Sequence, residues 1–200
     1  MKSKLLLLIL TAWCTNGWSQ LHLHEWNNSY YASYHSSTFK NESVIHQKIN
    51  PNNIDYPLLN AAIFYRTNEE RVKYGRSEFQ HSPTLEQVAF NHSKDMVMYN
   101  FYSHKSPVPG KESMSDRIKS MGLNYKSCAE NIYDFFLSQP SYWEMANGLV
   151  EGWMNSEGHK RNILNPELHF LGCGIYHYEN PQWSGYFWVK STQNFYTPMY

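Results

Sequence analysis

Helix-forming patterns come first in this chain and strand-forming patterns come last. Leu85, Val88, Ala89, His92 and Met96 recur at i, i+3, i+4, i+7 and i+11, the period of a helix with one buried face. The last third holds two extended runs, "LGCGIYHY" and "YFWVKSTQNF", joined by the turn sequence "ENPQWSG". Because helices and strands do not alternate, this order predicts an α+β layered domain with an antiparallel sheet.

The ends of four helices are marked by local signals. A first helix begins near Tyr56 and stops before Gly75, and a second begins at Pro83. A short third helix, "SMSDRIKSMG", ends at Gly122. In the fourth, Ser141 and Glu144 have the spacing of a capping box. We expect Gly158 to end this helix, which places His159 in the loop just after the helix stop.

The first nineteen residues have the pattern of a secretory signal peptide. Two lysines precede the apolar run Leu5–Leu10, which is too short to span a bilayer, and small residues follow at Gly17 and Ser19. A lipoprotein anchor at Cys14 is the alternative, although Trp13 is bulky where such signals have a small residue. We therefore expect a secreted, extracellular or periplasmic protein without a transmembrane span.

Residues 20–55 are rich in His, Asn, Ser and Tyr without a sustained period and predict a poorly ordered or loosely docked arm.

The balance of charges indicates which class of partner is not expected. Seventeen basic residues balance seventeen acidic ones, so nothing indicates a polyanionic partner such as nucleic acid. We take a monomer as the default state.

After removal of the signal, Cys128 and Cys173 remain, and in an oxidising compartment they predict one disulfide. It would close a loop of about 45 residues and contribute about 3–4 kcal/mol. The alternative is two buried free thiols.

Three short segments place ionisable residues at the edges of predicted elements. They are "FYSHKSP" with His104, "CAENI" with Glu130 and "SEGHKRNIL" with His159. Two imidazoles and a carboxylate can bind a metal ion or form an acid–base pair. They can equally act as hydrogen-bonding groups that tie helices to the sheet. The chain has neither a G-x-S-x-G nor an H-E-x-x-H motif, which argues against the common serine hydrolases and metalloproteases.

These segments and their order resemble the CAP superfamily, the domain of cysteine-rich secretory proteins, antigen 5 and pathogenesis-related-1, also called SCP. The resemblance rests on "SHKSP", "CAENI", "WMNSEGHKRNILNPELHFLGCGI" and "YFWVKSTQNF", in the form of the bacterial members. It implies a three-layer α-β-α sandwich with a central antiparallel sheet over residues 56–197. It also implies a cavity with two histidines and two glutamates that can bind Zn²⁺ or another divalent ion.

Carried over residue by residue, the family pattern makes His104, Glu130 and His159 the candidate metal ligands. The fourth position departs from the pattern, because Ser156 stands where the second glutamate is expected, three residues after Trp153. Glu157 can replace it only if the helix has already unwound there. With three strong ligands at most, we expect metal affinity to be weaker than in family members that have all four. Asn131 completes the predicted cavity, where we expect it to hydrogen-bond loop backbone.

Two functional hypotheses follow from the resemblance. The first is a non-catalytic extracellular binding protein for a hydrophobic or cell-envelope ligand, modulated by a divalent ion. The second is a metal-dependent hydrolase or peptidase in which Glu130 is the base for an ion-bound water, with His104 and His159 as ligands. Ser156 cannot replace a carboxylate as base or anionic ligand, which favours the first. Aromatic residues after "CAENI" serve either as a ligand grip or as core packing: Tyr133, Phe135, Phe136, Tyr142 and Trp143.

Overall fold

The computed structural model describes residues 20–199, and in this part of the chain a four-stranded sheet lies between two helical layers. The α+β three-layer sandwich is therefore confirmed. The predicted signal peptide, with Cys14, lies outside the described residues.

The sheet has the strand order β1-β3-β4-β2. Its strands are β1 Gln80–His81, β2 Tyr125–Leu137, β3 Phe170–Tyr178 and β4 Phe187–Pro198. The three long strands are antiparallel, as predicted, whereas the two-residue β1 runs parallel to β3 and makes the sheet mixed. β4 therefore lies between β3 and β2, and Asn194 at its centre pairs with Glu130 on β2 and with Gly172 on β3.

Within the described residues, six α-helices surround this sheet: α1 Ser36–Phe39, α2 Tyr56–Lys73, α3 Pro83–Met98, α4 Met114–Ser120, α5 Tyr142–Met154 and α6 Glu157–Leu164. Short 3₁₀ turns span Asn28–Ala32, Ser43–His46 and Pro181–Trp183. The local signals place most helix ends correctly. Pro83 lies in the first turn of α3, the Ser141–Glu144 capping box begins α5, and Gly75 follows α2 in the left-handed conformation.

Helix α3 packs unusually close to one face of the sheet because two facing positions of β3 are glycines. A Cβ atom on Gly172 would lie 2.1 Å from the backbone nitrogen of Glu86, and one on Gly174 would lie 2.0 Å from that of Phe90. Ser93 adds hydrogen bonds from α3 to the carbonyl of Gly174 and to Thr192. α3 is thereby held on β3 and β4 through its backbone.

Helices α2 and α5 cover the opposite face and enclose the main core. The rings of Tyr133 and Phe135 pack against Gly152 and Gly148 of α5, and Trp153 is fully buried. Tyr142 is also buried and Trp143 packs at the edge of the core, whereas Phe136 is 42% exposed. Of the five aromatic residues named after "CAENI", Tyr142 is therefore part of the core, and Tyr133, Phe135 and Trp143 are partly buried against it.

The boundary between α5 and α6 corrects one prediction. Gly158 does not end a helix: α5 stops at Met154, Asn155 and Ser156 form the break, and α6 begins at Glu157. His159 consequently lies in the first turn of α6 and not in a loop. The helix ends early because the Asn155–Ser156 pair interrupts it, and Gly158 has no positive φ angle that would mark a stop.

Residues 20–55, expected to form a poorly ordered arm, pack against the domain in the structure. Trp26, Phe39 and Ile45 are buried in the main core, and Ile49 donates a backbone hydrogen bond to Pro140. The sequence of this segment has no helical or strand period because the segment forms short turns. Its aromatic residues are positioned by tertiary contacts. Trp26, for example, packs edge-on against Phe39 and Tyr65.

The predicted disulfide between Cys128 and Cys173 is wrong. Both thiols are free in the described part of the chain, Cys173 buried and Cys128 half-buried. Cys128 pairs with Tyr196 and Cys173 with Gln193 on opposite sides of β4. Two strand spacings separate them by about 9–10 Å before the offset along β4 is added. A disulfide needs Cα atoms about 4.4–6.8 Å apart.

We predict that Gly158→Ala raises the free energy of unfolding by about 0.5–1 kcal/mol, because alanine is the better residue inside a helix. Its Cβ would meet only the end of the Arg161 side chain, at 3.9 Å. Urea unfolding measures the change. Gly122→Ala is the control and should destabilise, because Gly122 has a φ angle of 77°. A loss of stability in Gly158→Ala would restore the helix-stop interpretation.

Candidate functional site

Glu130 is the centre of a buried charge cluster on β2. Its Oε1 accepts a hydrogen bond from Nδ1 of His104 at 2.9 Å, and its Oε2 accepts one from Nη2 of Arg117 at 2.7 Å. Glu130 is 9% exposed and Arg117 is 3% exposed. With its amide oriented to satisfy both neighbours, Asn194 also donates to Oε2 at 3.0 Å. The structure thus brings the predicted residues His104 and Glu130 together.

Arg117, which the sequence interpretation missed, ties three segments to this carboxylate. A reciprocal capping box between Ser113 and Asp116 begins α4 and sets the position of Arg117, the residue that follows it. Besides Glu130, the guanidinium donates to the carbonyls of His104 and Lys111. The loop from 104 to 111 is therefore held by the same side chain. The capping box was a visible signal for α4, but nothing local showed that its arginine is buried.

Burial and the neighbouring charges oppose each other at Glu130. Burial favours the neutral acid, but the hydrogen bond from His104 and the charge of Arg117 outweigh it and lower the pKa of Glu130 below its usual value. The carboxylate is therefore ionised at neutral pH and can only accept hydrogen bonds. Nδ1 of His104 must then carry a proton, and in the neutral imidazole Nε2 of this half-exposed ring keeps its lone pair.

His92 lies under the cluster on the buried stripe of α3. Its Nε2 is 3.2 Å from the carbonyl of Ser103 and 3.9 Å from Oε1 of Glu130, and Nδ1 has no hydrogen-bond partner in the described part of the chain. Burial lowers the pKa of His92 to about 4; the charge of Glu130 opposes this shift and that of Arg117 adds to it. His92 is therefore neutral. Its place in an apolar stripe was the sequence signal for a buried histidine.

The other predicted residues lie along the edge of β2. Asn131 donates to the carbonyl of His159 at 3.2 Å and to Oε1 of Gln193 at 3.0 Å. Asn162 of α6 donates to Oδ1 of Asn131 at 2.8 Å and to the carbonyl of Glu130. These bonds fix α6 beside the free edge of β2. Asn131 therefore bonds the backbone of α6 and a side chain of β4, not the loop backbone that was expected.

His159 lies in the first turn of α6, where Asn131 donates to its backbone carbonyl. Burial lowers the pKa of the His159 imidazole, and the charge of a protonated His104 lowers it further, so His159 is neutral at physiological pH. Together with His104 on the 104–111 loop, it forms the candidate histidine pair.

Ser156 and Glu157 do not supply a fourth member next to Glu130. Ser156 is the N-cap residue of α6, and its side chain makes no capping hydrogen bond. The helix has unwound at this point, as the substitution by Glu157 required, yet the Glu157 side chain is 89% exposed and pairs with Arg161. Within residues 20–199, no group of three or more His, Cys, Asp or Glu side chains is arranged to hold a metal ion.

An apolar cavity lies at the other end of the sheet, away from the charge cluster. Its volume is about 430 Å³, and Phe187 on its wall pairs with Leu137 at the end of β2. Seven strand residues separate Leu137 from Glu130, a distance of about 23 Å. This apolar cavity is thus separate from the histidine pair.

Comparison with known families decides the classification. The model of the cysteine-rich secretory protein family, CAP, matches residues 64–191. The chain belongs to the CAP family. Two Bacillus subtilis (strain 168) proteins are similar to this CAP protein: YkwD, 40% identical over 108 residues, and the membrane protein YlbC, 36% identical over 109 residues. Each match covers 54% of this chain, but only 38% of YkwD and 29% of YlbC.

Solved structures show the same fold. An extracellular SCP-domain protein from Bacillus anthracis superimposes with a TM-score of 0.58 at 28% identity, over 74% of this chain and 44% of that one. An outer surface protein of Borrelia burgdorferi gives 0.57 at 16% identity, over 77% and 99% of the two chains. No helix of the CAP protein within residues 20–199 is both long and apolar enough to cross a membrane.

We predict that His92 makes the protein less stable as pH falls from about 7 to 4.5. Its pKa is about 4 when folded and has an ordinary value of 6.5. Between these values the unfolded chain binds a proton that the folded chain does not, so acidification favours unfolding by about 2–3 kcal/mol. Urea unfolding at both pH values should show this loss, and His92→Gln should reduce it by that amount.

The exposed His22 provides the control, because His22→Gln should keep the wild-type pH dependence. Equal losses in wild type and His92→Gln would contradict the assignment.

Proposed function

We propose that this CAP protein is a non-catalytic extracellular binding protein that takes a small hydrophobic ligand in the apolar cavity at the β3–β4 turn. The cavity is the observation that carries the proposal. Its volume of about 430 Å³ falls within the usual range for small-molecule sites. An extracellular place is supported by the signal-like first nineteen residues and by the extracellular relative from Bacillus anthracis.

The walls of the cavity combine rigid apolar surface with a few polar groups. Its lining consists of Ile49, Pro51, Gln139, Pro140, His177, Glu179, Asn180, Pro181, Trp183, Ser184, Gly185, Tyr186 and Phe187. His177 stacks on Phe187 at 4.3 Å and its Nδ1 is 2.9 Å from the carbonyl of Trp188, so this wall is fixed in place. Trp183 and Tyr186 are 55% and 42% exposed, which leaves large apolar rings available at the mouth.

The state of Glu130 argues against the hydrolase hypothesis. A general base needs a free lone pair within reach of its water and a pKa near the working pH. Both oxygens of Glu130 already accept hydrogen bonds from buried or adjacent donors, and its pKa is lowered. We infer that Glu130 orients His104, as a carboxylate behind a metal-ligating histidine commonly does.

A divalent ion such as Zn²⁺ fits this site through two nitrogen ligands. The lone pair on Nε2 of His104 and the neutral ring of His159 are suitable donors. Structural and catalytic zinc sites have three or four protein ligands, so two imidazoles predict weak binding. A bound ion would act as a Lewis acid and would link the 104–111 loop to α6, which is the modulating role that we propose.

We predict that the full chain binds the fluorescent fatty acid cis-parinaric acid with one saturable site, measured by fluorescence titration. Trp183→Ala and Tyr186→Ala should each weaken binding about tenfold, because each removes a large apolar contact at the cavity mouth. Tyr99→Ala is the matched control, since Tyr99 is 59% exposed but lies at the end of α3. Equal affinities in all variants would place the probe elsewhere and contradict the cavity assignment.

We further predict that His104→Ala and His159→Ala each abolish most calorimetric Zn²⁺ binding, while leaving parinaric acid binding unchanged. Glu130→Gln should bind Zn²⁺ only a few-fold more weakly, since it alters an orienting group. Loss of binding in Glu130→Gln as complete as in His104→Ala would make Glu130 a ligand. Ester or peptide hydrolysis that depends on His104 and Glu130 would favour the hydrolase.

A further inference from the structure

Arg71 carries a buried positive charge with no acidic partner in the described chain. Its side chain lies in the last turn of α2, is 3% exposed and stacks on the ring of Phe79 at 3.7 Å. Among residues 20–199, no carboxylate lies within 4 Å of its guanidinium. Arg66 and Lys73, in the same helix, are both paired with Glu70. Buried charges are usually neutralised by an opposite charge, so Arg71 is an exception that needs an explanation.

Backbone carbonyl groups satisfy part of the hydrogen-bonding capacity of Arg71. Nε donates to the carbonyl of Ser77 at 2.6 Å, and Nη1 donates to those of Ile163 and Asn165 at 2.7 and 3.1 Å. The last two belong to the end of α6, where the helix dipole is negative. These dipoles fix the guanidinium but carry no net charge. Burial, and then the charge of Arg76, lower the pKa of Arg71 to about 10, so it stays protonated.

Arg71 lines a cavity of about 330 Å³. The other lining residues are Gly75, Arg76, Ser77, Glu78, Gln80, Pro166, Leu168 and His169. Arg76 and His169 are exposed at its rim. Arg76 also lacks a carboxylate partner within the described chain. Two arginines and a histidine therefore line one space together with a single carboxylate, that of Glu78. Oε1 of Glu78 accepts a hydrogen bond from Ser36 at 2.5 Å.

The turn after α2 sets this arrangement. Gly75 adopts a φ angle of 69°, and the backbone nitrogen of Arg76 donates to the carbonyl of Arg71 at 2.8 Å. The chain therefore folds back over the end of its own helix and brings Arg76 next to Arg71. On the neighbouring turn of α6, Lys160 lies over the ring of Tyr74 and adds a further positive charge to this face.

We propose that this cavity binds a phosphate group, with Arg71 at its base and Arg76 and His169 at its rim. A phosphate offers three or four oxygens to converging donors, whereas a carboxylate offers two. Guanidinium groups match this geometry and form the stronger, charge-assisted hydrogen bonds. The phosphate group belongs either to a free phosphate or phosphomonoester, or to a phosphodiester of an envelope polymer or lipid. This site is independent of the apolar cavity and of the histidine pair.

Calorimetric titration of inorganic phosphate into the full chain, at constant ionic strength, tests the proposal. The expected result is saturable one-to-one binding that weakens about tenfold or more in Arg76→Gln and also weakens in His169→Gln. Glu78→Gln should strengthen binding, because it removes the one carboxylate that repels the anion. These variants leave Arg71 in place, since its loss would also free the carbonyls at the end of α6.

Lys94→Gln is the matched control: it removes one exposed charge that lies over the ring of Tyr176, seven residues along the chain from His169, and should leave phosphate binding unchanged. No saturable binding, or equal weakening in Lys94→Gln and Arg76→Gln, would overturn the proposal. Poly(glycerol phosphate) and vesicles containing phosphatidylglycerol, each compared between wild type and Arg76→Gln, then distinguish the source. Binding of either that is lost in Arg76→Gln supports a phosphodiester, and binding of inorganic phosphate alone supports a free phosphate or phosphomonoester.

Discussion

The ion pair between Glu130 and Arg117 joins parts of the chain that have little else in common. Glu130 belongs to β2 and Arg117 to the short helix α4, while both Nη atoms of the guanidinium also donate to backbone carbonyls of the loop that carries His104. Because both charges are buried, removal of either would leave the other uncompensated, at a cost of about 3–5 kcal/mol. The same pair keeps Glu130 ionised, and the ionised carboxylate decides which nitrogen of His104 bears the proton. The orientation and protonation of the candidate metal ligand thus follow from an interaction that faces away from solvent.

This cluster depends in turn on how closely α3 approaches the sheet. The backbone of α3 rests directly on Gly172 and Gly174, and this contact brings His92 to within 3.9 Å of Glu130. Larger residues at the two glycines would push the helix outward and open the space beneath the cluster.

The three candidate binding regions lie in different parts of the fold. The histidine pair lies at the edge of β2, the apolar cavity at the β3–β4 turn, and the phosphate site at the end of α2.

Sequence reasoning succeeded where the signal is local. Three of the signals act within a single helical turn: Pro83, Gly75 and the Ser141–Glu144 capping box. The helices that begin or end at these signals were therefore predicted. The family pattern predicted a shared site for His104, Glu130 and His159, and the structure joins His104 to Glu130 by a hydrogen bond. Two of the failures concern contacts between distant segments. The sequence does not show that β4 lies between the strands of Cys128 and Cys173. Nor does it show that Arg117, in the seven-residue helix α4, is buried. Gly158 resembled a helix stop, whereas the break lies at Asn155 and Ser156, which have no strong sequence signature.

The packed segment 20–55 has a consequence for the order of folding. Its partners lie far along the chain: Tyr31 hydrogen-bonds Glu86, and Lys48 and Ile49 pair with Ser141 and Pro140. A chain that emerges from its amino end makes this segment before any of those partners exist. Its packing therefore stays incomplete until α2, α3 and the start of α5 have followed, although the aromatic partners of Trp26 extend no farther along the chain than Tyr65 of α2. Closing such long loops is slow. The first described part of the protein to be made is thus among the last to reach its final place, and for that interval it is open to chaperones and proteases.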